Sequence, residues 1–248
     1  MNNIDVSVVM PAYNCEKYIG QAIESVLQQE VSLELIIIND CSKDNVDKVV
    51  EKYLSDERVK YIHNKKNIGV AKTRNKGVEL AQGKYIAFLD SDDWWTKDKL
   101  KKQLDLMRDN NVVISSTARE LMTAKGQSTG RIIEVPNVVS FNKLLYGNLI
   151  NCSSVLVKSD IMKQYEMICD DAHEDYITWL CILRDHGNAA MVNEPLLKYR
   201  LSEDGKSRNK FKSAKMHYMS LRYMGYGRLR SFYYFIAYGY NGLKKHYM

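Results

Sequence analysis

The densest cluster of acidic side chains in the sequence directly follows an apolar run. Residues 85–89 are almost wholly apolar, and Asp90, Asp92 and Asp93 occupy three of the next four positions. Carboxylates this close raise one another's pKa unless a cation lies between them. Oxygen ligands of this kind favour Mg²⁺ or Mn²⁺. The cluster therefore predicts a divalent metal site, and the alternative is a solvated acidic turn that caps the next helix.

Short apolar runs alternate with segments of helical spacing through the first half of the chain. The alternation predicts an α/β fold with a mostly parallel, doubly wound central sheet. The predicted strands are residues 6–10, 35–38, 59–62 and 85–89. The predicted helices are residues 18–27, capped by Asn14, and residues 46–53, 70–81 and 97–110.

The pattern loosens after residue 116. Residues 117–136 are polar and predict a loop with an edge strand, residues 152–157 predict a strand, and residues 174–185 predict a helix. We expect one catalytic domain over residues 1–204, with a nucleotide-binding half to about residue 116 and an acceptor half over 117–204. Residues 205–248 form a basic, aromatic, helical C-terminal extension.

Polar side chains follow the early strands, and in a parallel sheet these strand ends meet in one crevice. Tyr13, after Pro11-Ala12, offers a ring on which a base can stack, and Asp40 can accept a hydrogen bond from a base N–H. Arg74 can meet a phosphate, hold Asp40 in place or form a purely structural ion pair.

No P-loop is present and no GxGxxG follows the first strand, so neither phosphate-binding loop is available. A site that handles a diphosphate must then neutralise it by another route. A metal held by Asp92 does so and stabilises the diphosphate as a leaving group.

Two carboxylates, Glu174 and Asp175, open the predicted helix after residue 173. The helix dipole favours carboxylates there, which is a sufficient structural reason for them. The same field keeps a carboxylate ionised and ready to accept a proton. Asp175, with Glu174 as the alternative, is therefore a candidate general base, and the sequence leaves both interpretations open.

A group of hydroxyls and cations follows the last predicted strand. Its members are Arg200, Ser202, Lys206 and Arg208. They suit a loop that closes over phosphates, and the alternative is a soluble basic turn.

Four segments in this order resemble the family 2 glycosyltransferases, the inverting enzymes of the GT-A fold that build bacterial polysaccharides. The segments are Val8-Val9-Met10-Pro11-Ala12-Tyr13-Asn14, Ile36-Ile37-Ile38-Asn39-Asp40-Cys41-Ser42, Asn67-Ile68-Gly69-Val70-Ala71-Lys72-Thr73-Arg74-Asn75 and Gly83-Lys84-Tyr85-Ile86-Ala87-Phe88-Leu89-Asp90-Ser91-Asp92-Asp93. Beyond residue 116 the resemblance thins to the Glu174-Asp175 pair, Trp179 and the Tyr199-Arg200 loop.

The resemblance implies a role for each matching residue. The nucleotide, typically uridine diphosphate, is held by Pro11, Ala12, Tyr13, Asp40, Arg74, Asp90 and Ser91. Asp90 and Asp92 form the family's DxD motif on ribose and Mn²⁺ or Mg²⁺, with Asp92 the favoured direct ligand, and Asp175 deprotonates the acceptor hydroxyl. Where many members carry a His after Tyr-Arg, this chain has Leu201-Ser202, with Lys206 or Arg208 as cationic substitutes.

The charge distribution bears on partners and location. Residues 205–248 carry ten Lys or Arg and no acid, which leaves 26 basic and 30 acidic residues in the rest of the chain. A mildly acidic body argues against nucleic acid as a partner. The aromatic, basic tail predicts a helix on an anionic membrane surface, and the resemblance implies a lipid-linked or oligosaccharide acceptor. The alternative is a tail whose helically spaced apolar residues pack on the catalytic domain; these are Leu229, Phe232, Tyr233, Ile236, Tyr240 and Leu243.

Location follows from three further patterns. The sequence has five cysteines with no sign of disulfide pairing, no targeting segment, and no apolar run long enough to span a membrane. These features predict a cytoplasmic protein that is peripheral on the inner face of the cell membrane. The expected product is an O-antigen, lipopolysaccharide or capsule.

Two rival functions remain at this level. A sugar nucleotidyltransferase also has a doubly wound sheet with acidic metal ligands, but it ordinarily has a Gly-rich basic loop where this chain has Pro11-Ala12-Tyr13-Asn14. A sugar-nucleotide-binding or membrane scaffold protein with an inactive site is the non-enzymatic alternative.

Overall fold

The computed structural model of the chain describes residues 4–168, 172–201 and 210–247. Its strands are β1 Val6–Ala12, β2 Leu33–Asn39, β3 Val59–His63, β4 Tyr85–Phe88, β5 Trp94–Trp95, β6 Ile114–Met122, β7 Ser128–Ile133, β8 Val138–Val139, β9 Leu156–Lys158 and β10 Ala189–Arg200. Its α-helices are α1 Ile19–Leu27, α2 Val46–Val50, α3 Val70–Leu80, α4 Lys99–Asp109, α5 Phe141–Leu144, α6 Ser159–Met162, α7 Glu174–His186, α8 Lys210–Tyr223 and α9 Arg228–Tyr247.

One sheet runs through the molecule in the order β3-β2-β1-β4-β9-β6-β10-β5, with β7 beside β6 and β8 beside β10. The first four strands in that order are parallel, as the sequence predicts. Strand β9 is antiparallel to both neighbours, and β5 is antiparallel to β10. The mixed second half therefore departs from parallel pairing, while the α/β architecture is confirmed.

The core lies on both faces of this sheet. Alternate residues of β1 belong to different clusters, with Val8 packed on one face and Val9 on the other. Because helices cover both faces, the parallel strands are continuously apolar. Helix α3 lies directly on β1, since a Cβ on Gly77 would stand 2.3 Å from a methyl of Val9. This close approach fixes the position of Arg74, one turn earlier on α3.

Three local predictions were wrong. Asn14 does not cap α1, because its backbone is left-handed (φ 50°) and its side chain accepts a hydrogen bond from Lys43 N. Residues 117–122 continue β6, because β10 and β7 pair with them on either side. Residues 152–154 form a 3₁₀ turn before β9, which Asn151 caps through Ser153 N.

The tail helices pack on the catalytic body through one face only. In α8, Leu221 joins the core and Ser220 accepts a hydrogen bond from His173 N, at 3.2 Å. In α9, Ser231 is fully buried, whereas Leu229, Phe232, Tyr233 and Ile236 are 88%, 57%, 59% and 54% exposed. We call these four residues the apolar stripe. Their exposure argues against packing of Leu229, Phe232 and Ile236 on the domain, whereas the ring of Tyr233 contacts the ring of Tyr146 edge to face, with centroids 6.4 Å apart. The side chains of Tyr240 and Leu243 lie outside the described part of the chain.

Two further observations concern the tail and the cysteines. Within residues 4–168, 172–201 and 210–247, no helix has both the length and the apolarity to cross a bilayer. Cys15, Cys41, Cys152 and Cys181 are free thiols, and Cys169 lies outside the described residues.

Candidate active site

A cavity of about 1310 Å³ opens at the carboxyl ends of β1, β2 and β4 and reaches the N-terminus of α7. The residues predicted from the sequence that line it are Pro11, Ala12, Tyr13, Asp40, Arg74, Asp90, Ser91, Asp92, Glu174, Asp175 and Arg200. The structure thus brings the nucleotide, metal and base candidates into one crevice. Ser202, Lys206 and Arg208 lie outside the described residues.

Two loops that form one wall of the crevice hold each other in place. Asn14 N donates to Ser42 Oγ at 3.1 Å, and Lys43 N donates to Asn14 Oδ1 at 2.8 Å. Glu16 N donates to an Asp44 carboxylate oxygen at 2.7 Å. These reciprocal bonds fix the backbone beside Tyr13, whose ring is 47% exposed. A fixed, exposed ring at the crevice edge is suited to stacking on a planar base.

Asp40 is buried and already holds part of the wall. One carboxylate oxygen accepts from Asn64 Nδ2 and Ile68 N, both at 2.9 Å, and the other accepts from Gly69 N at 3.0 Å. The side chain therefore fixes the loop that leads into α3. Each carboxylate oxygen has two acceptor sites, so the oxygen that takes a single bond from Gly69 retains room for a ligand N–H.

Arg74 joins the metal side of the crevice to the base side. Its guanidinium contacts Asp90 Oδ1 at 2.5 Å and Glu174 Oε1 at 2.9 Å, and its side chain is 5% exposed. The partners are therefore Asp90 and Glu174, and Asp40 is not among them. Because Glu174 is held in this ion pair, Asp175 is the better placed of the two carboxylates to accept a proton.

Replacing Arg74 with methionine should lower the free energy of unfolding by about 3 kcal/mol, because it leaves two carboxylates near the core without their cation. Chemical denaturation measures the change. Arg58→Met is the matched control, since Arg58 pairs with Asp56 at the surface and its loss should cost no more than about 1 kcal/mol. Equal losses in the free energy of unfolding for the two variants would show that the buried ion pairs of Arg74 stabilise the fold no more than the surface pair of Arg58.

The acidic turn after β4 carries carboxylates that burial makes harder to ionise. Burial, and then the neighbouring Asp90, raise the pKa of Asp92 to about 6. Asp93 is 2% exposed, and burial with the nearby Asp92 and Asp90 raises its pKa well above the usual range. A bound cation would favour the ionised form of Asp92, which faces the crevice.

The donor set fits a divalent cation that is shared with substrate. Among the described residues, no three Asp, Glu, His or Cys side chains converge into a complete protein site. Mg²⁺ typically takes one or two carboxylates and completes its shell with water and substrate phosphate oxygens. Asp92 and Asp90 provide such a partial set on the wall of the crevice.

Arg200 binds the acidic turn to the surrounding elements. Its guanidinium lies between the rings of Tyr18 and Trp94, at 4.6 and 4.7 Å. It donates to Asp92 O at 2.8 Å, and the backbone N of Arg200 donates to Asp93 Oδ1 at 2.9 Å. Further bonds reach Ala124 O and Gln21 Oε1. With three of its five guanidinium N–H donors bonded to protein groups, Arg200 positions the turn, and the phosphate contact that the sequence suggested stays a prediction.

Asp175 lies across the crevice from this turn, at the first turn of α7. Tyr176 N donates to one of its oxygens at 2.8 Å, and Asn148 Nδ2 approaches the other at 3.4 Å. Burial, and then the charge of Glu174, raise the pKa of Asp175 to about 6, against the opposing effects of Arg74 and His173. A carboxylate with this pKa is ionised at neutral pH yet more basic than an ordinary aspartate, which suits a general base.

Several residues that line the crevice carry no recognisable signal in the sequence. Lys17 and Lys125 are exposed cations at the crevice, and His173 and Met216 line its acceptor side. Lys125 lies in the turn between β6 and β7, far in sequence from every predicted motif. Only the pairing of β6 with β10, which no local pattern specifies, brings that turn to the site.

Comparisons with known proteins agree with this architecture. Residues 7–177 match the profile of Glycosyl transferase family 2. TuaG of Bacillus subtilis (strain 168), provisionally named a teichuronic acid biosynthesis glycosyltransferase, is 36% identical over 243 residues, which are 97% of this chain and 96% of TuaG. WfgD of Escherichia coli, a UDP-Glc:alpha-D-GlcNAc-diphosphoundecaprenol beta-1,3-glucosyltransferase, is 36% identical over 251 residues, 99% of this chain and 96% of WfgD.

A solved structure shares the fold. The mannosyltransferase PcManGT from Pyrobaculum calidifontis, in complex with GDP-Man and Mn²⁺, superposes with a TM-score of 0.72 at 15% identity, over 96% of this chain and 73% of PcManGT. The shared fold is GT-A, as the sequence predicts. With the profile match covering most of the chain and two relatives aligned over nearly all of it, this protein belongs to glycosyl transferase family 2.

Proposed function

We propose that this glycosyltransferase moves a hexose or N-acetylhexosamine from a UDP-sugar to a hydroxyl of a saccharide carried on a lipid diphosphate. The observation that carries the proposal is the single crevice in which the Asp90–Asp92 turn faces Asp175. WfgD, whose name specifies a UDP-sugar donor and a diphosphoundecaprenol-linked acceptor, supports these substrate classes because its alignment spans nearly the whole chain.

Residues on two sides of the crevice take part in the reaction. Tyr13 stacks on the base, and Pro11, Ala12, Asp40 and Ser91 complete the nucleotide wall. On the other side Asp175 takes the proton of the acceptor hydroxyl as its oxygen attacks the anomeric carbon. Attack in line with the departing diphosphate inverts the configuration at that carbon. Holding donor and acceptor in this alignment supplies much of the rate enhancement.

Asp92, with Asp90, would hold Mn²⁺ or Mg²⁺. When bound, the ion neutralises charge that develops on the departing diphosphate. Mn²⁺ in the PcManGT complex supports a divalent ion in this fold. Lys17 and Lys125 add exposed positive charge to the lining of the crevice.

We place the enzyme in the cytoplasm, on the inner face of the cell membrane, in the synthesis of an O-antigen, lipopolysaccharide, capsule or related surface polysaccharide. Its apolar stripe is exposed, and its tail carries ten basic residues and no acid. Such a surface suits anionic lipid headgroups and the apolar layer beneath them.

Replacing both Phe232 and Ile236 with serine should weaken binding to anionic vesicles by about tenfold or more, since each buried side chain contributes about 1.5–3 kcal/mol. Vesicle flotation measures the bound fraction. The paired control is Ile132→Ser with Val138→Ser, which are exposed to a similar degree on β7 and β8. If both double variants bind vesicles to the same extent as the wild type, the apolar stripe is not a membrane contact.

The central experiment is a donor screen. The purified full chain is incubated with UDP-sugars and lipid-linked saccharides, with Mn²⁺ or with chelator, and UDP release is followed by mass spectrometry of the products. We expect release that depends on metal, on one donor and on acceptor, with one sugar added. Binding of UDP-sugars without any turnover would favour a scaffold protein instead.

A further inference from the structure

A second concavity lies on the acceptor side of the molecule, between the residues that follow α5 and the first turns of α9. It has a volume of about 520 Å³. Tyr226, Tyr233 and Tyr234 line it together with Leu145 and Leu229, and Arg230 is its cationic side chain. We call it the groove. Nothing in the nucleotide or base chemistry uses it.

Residues 144–148 connect the groove to the catalytic base. Leu145 lines the groove, and Leu144 O accepts a hydrogen bond from Tyr176, the neighbour of Asp175, at 2.9 Å. At the other end of the segment, Asn148 approaches Asp175 at 3.4 Å. Three residues of backbone span no more than about 10 Å, so Leu145 in the groove lies within about that distance of Asn148, the residue that approaches the base.

The surface between groove and base is held against α9. Gly147 has a φ of 149°, and a Cβ there would stand 3.3 Å from the ring of Tyr238. The ring of Tyr146 contacts Tyr234 edge to face, with centroids 5.2 Å apart. Tyr146 and Gly147, which lie between Leu145 of the groove and Asn148 beside the base, are therefore packed on α9.

We propose that the groove binds the isoprenoid diphosphate portion of the acceptor, with the first isoprene units on the tyrosines and a phosphate at Arg230. This inference rests on the proposed function, because it assigns a binding site to the lipid part of a lipid-linked acceptor, which extends beyond the crevice. Aromatic and aliphatic side chains suit a branched hydrocarbon chain, and the cation matches the charge of a diphosphate. The apolar stripe shares Leu229 and Tyr233 with the groove, so a chain bound there continues directly toward the membrane.

The test separates the groove from general attraction to lipid. Farnesyl diphosphate is titrated by calorimetry into the full chain with saturating UDP and Mn²⁺, which fill the donor site. Arg230→Glu is compared with Arg228→Glu, which makes the same charge change on the same helix at an exposed residue outside the groove. We expect Arg230→Glu to raise Kd about tenfold, the loss expected for one charge-assisted contact, and Arg228→Glu to change it less than twofold.

A second variant tests the shape of the groove without changing its charge. Asn142 is an exposed residue at its edge, and Asn142→Trp should also weaken farnesyl diphosphate by fivefold or more by occupying the space. Farnesol and inorganic pyrophosphate, which each carry half of the ligand, should bind at least tenfold more weakly than the intact molecule.

Three outcomes would overturn the assignment. Equal losses for Arg230→Glu and Arg228→Glu would indicate nonspecific charge attraction. Unchanged farnesyl diphosphate binding with altered vesicle flotation would indicate bulk lipid, and a dimer dissociated by Asn142→Trp would indicate a second copy of the chain. UDP release in the donor screen is read independently, so the groove can fail while the proposed transferase activity stands.

Discussion

Replacing Asp92 with alanine is expected to lower kcat by about 10³-fold or more. The carboxylate is the favoured ligand for the divalent ion, charge stabilisation at a leaving group contributes several kcal/mol, and each 1.36 kcal/mol corresponds to tenfold in rate. UDP release at saturating donor and acceptor measures the loss. A titration with Mn²⁺ should also show that the variant no longer responds to concentrations that saturate the wild type.

Stability distinguishes this loss from misfolding. The folded protein raises the pKa of Asp92 to about 6, so the ionised carboxylate destabilises the metal-free fold at any pH above that value. Asp92→Ala should therefore melt at the wild-type temperature or above it, without metal at pH 7.5. Asp105→Ala, a surface change on α4, serves as the activity control. If the Asp92→Ala enzyme keeps full activity in the presence of chelator, the reaction does not need the metal.

Replacing Asp175 with asparagine should lower kcat by about 10²–10⁴-fold, the contribution of a positioned general base. Asparagine keeps the acceptor oxygen for Tyr176 N, so the helix start and the donor site should persist. Donor binding, measured by calorimetry with UDP and Mn²⁺, should stay within about twofold of the wild-type value. Asp185→Asn at the other end of α7 is the matched control and should retain activity.

The pH profile provides a second readout for Asp175. A base must be deprotonated to act, so a pKa of about 6 predicts that wild-type kcat falls tenfold per pH unit below that value and is flat above it. Saturating Mn²⁺ and donor should keep Asp92 ionised throughout. The residual activity of Asp175→Asn should lack this acidic limb, and an unchanged limb would assign it to another group.

The parallel half of the fold was predictable because each strand carries its own signal. Residues 35–38 are apolar at every position, as a strand covered on both faces requires, and the next helix follows at once. The antiparallel strands carry less of this signal, and the predicted strand at residues 152–157 covers only two residues of β9. Strand β9 is three residues long and β5 is two, and both form only because distant strands offer pairing partners. Their assignment depends on contacts that a local pattern does not contain.

The candidate site divides in the same way. The positions of Asp40, Asp90 and Asp92 follow from a rule about strand ends, and their convergence needs no knowledge of partners. The partner of Arg74 is different, because Glu174 lies 100 residues further along the chain. Likewise, the use of Arg200 as a contact to Asp92 O depends on how β10 returns beside β6. The sequence therefore predicts the candidate binding residues of the site more readily than the residues that hold those side chains in position.

The ion pair between Arg74 and Glu174 has a consequence for hybrid enzymes. Arg74 precedes residue 116 and Glu174 follows it, so a chimera that joins the first part of one homologue to the second part of another inherits its cation and its anion from different parents. If the parent of the first part lacks the cation, the hybrid buries the carboxylate of Glu174 without a partner beside its own reaction centre, whereas a missing Glu174 still leaves Arg74 paired with Asp90. We expect hybrids whose second part carries Glu174 to accumulate as folded protein only when the first part carries the cation of Arg74, whatever sugars the parents use.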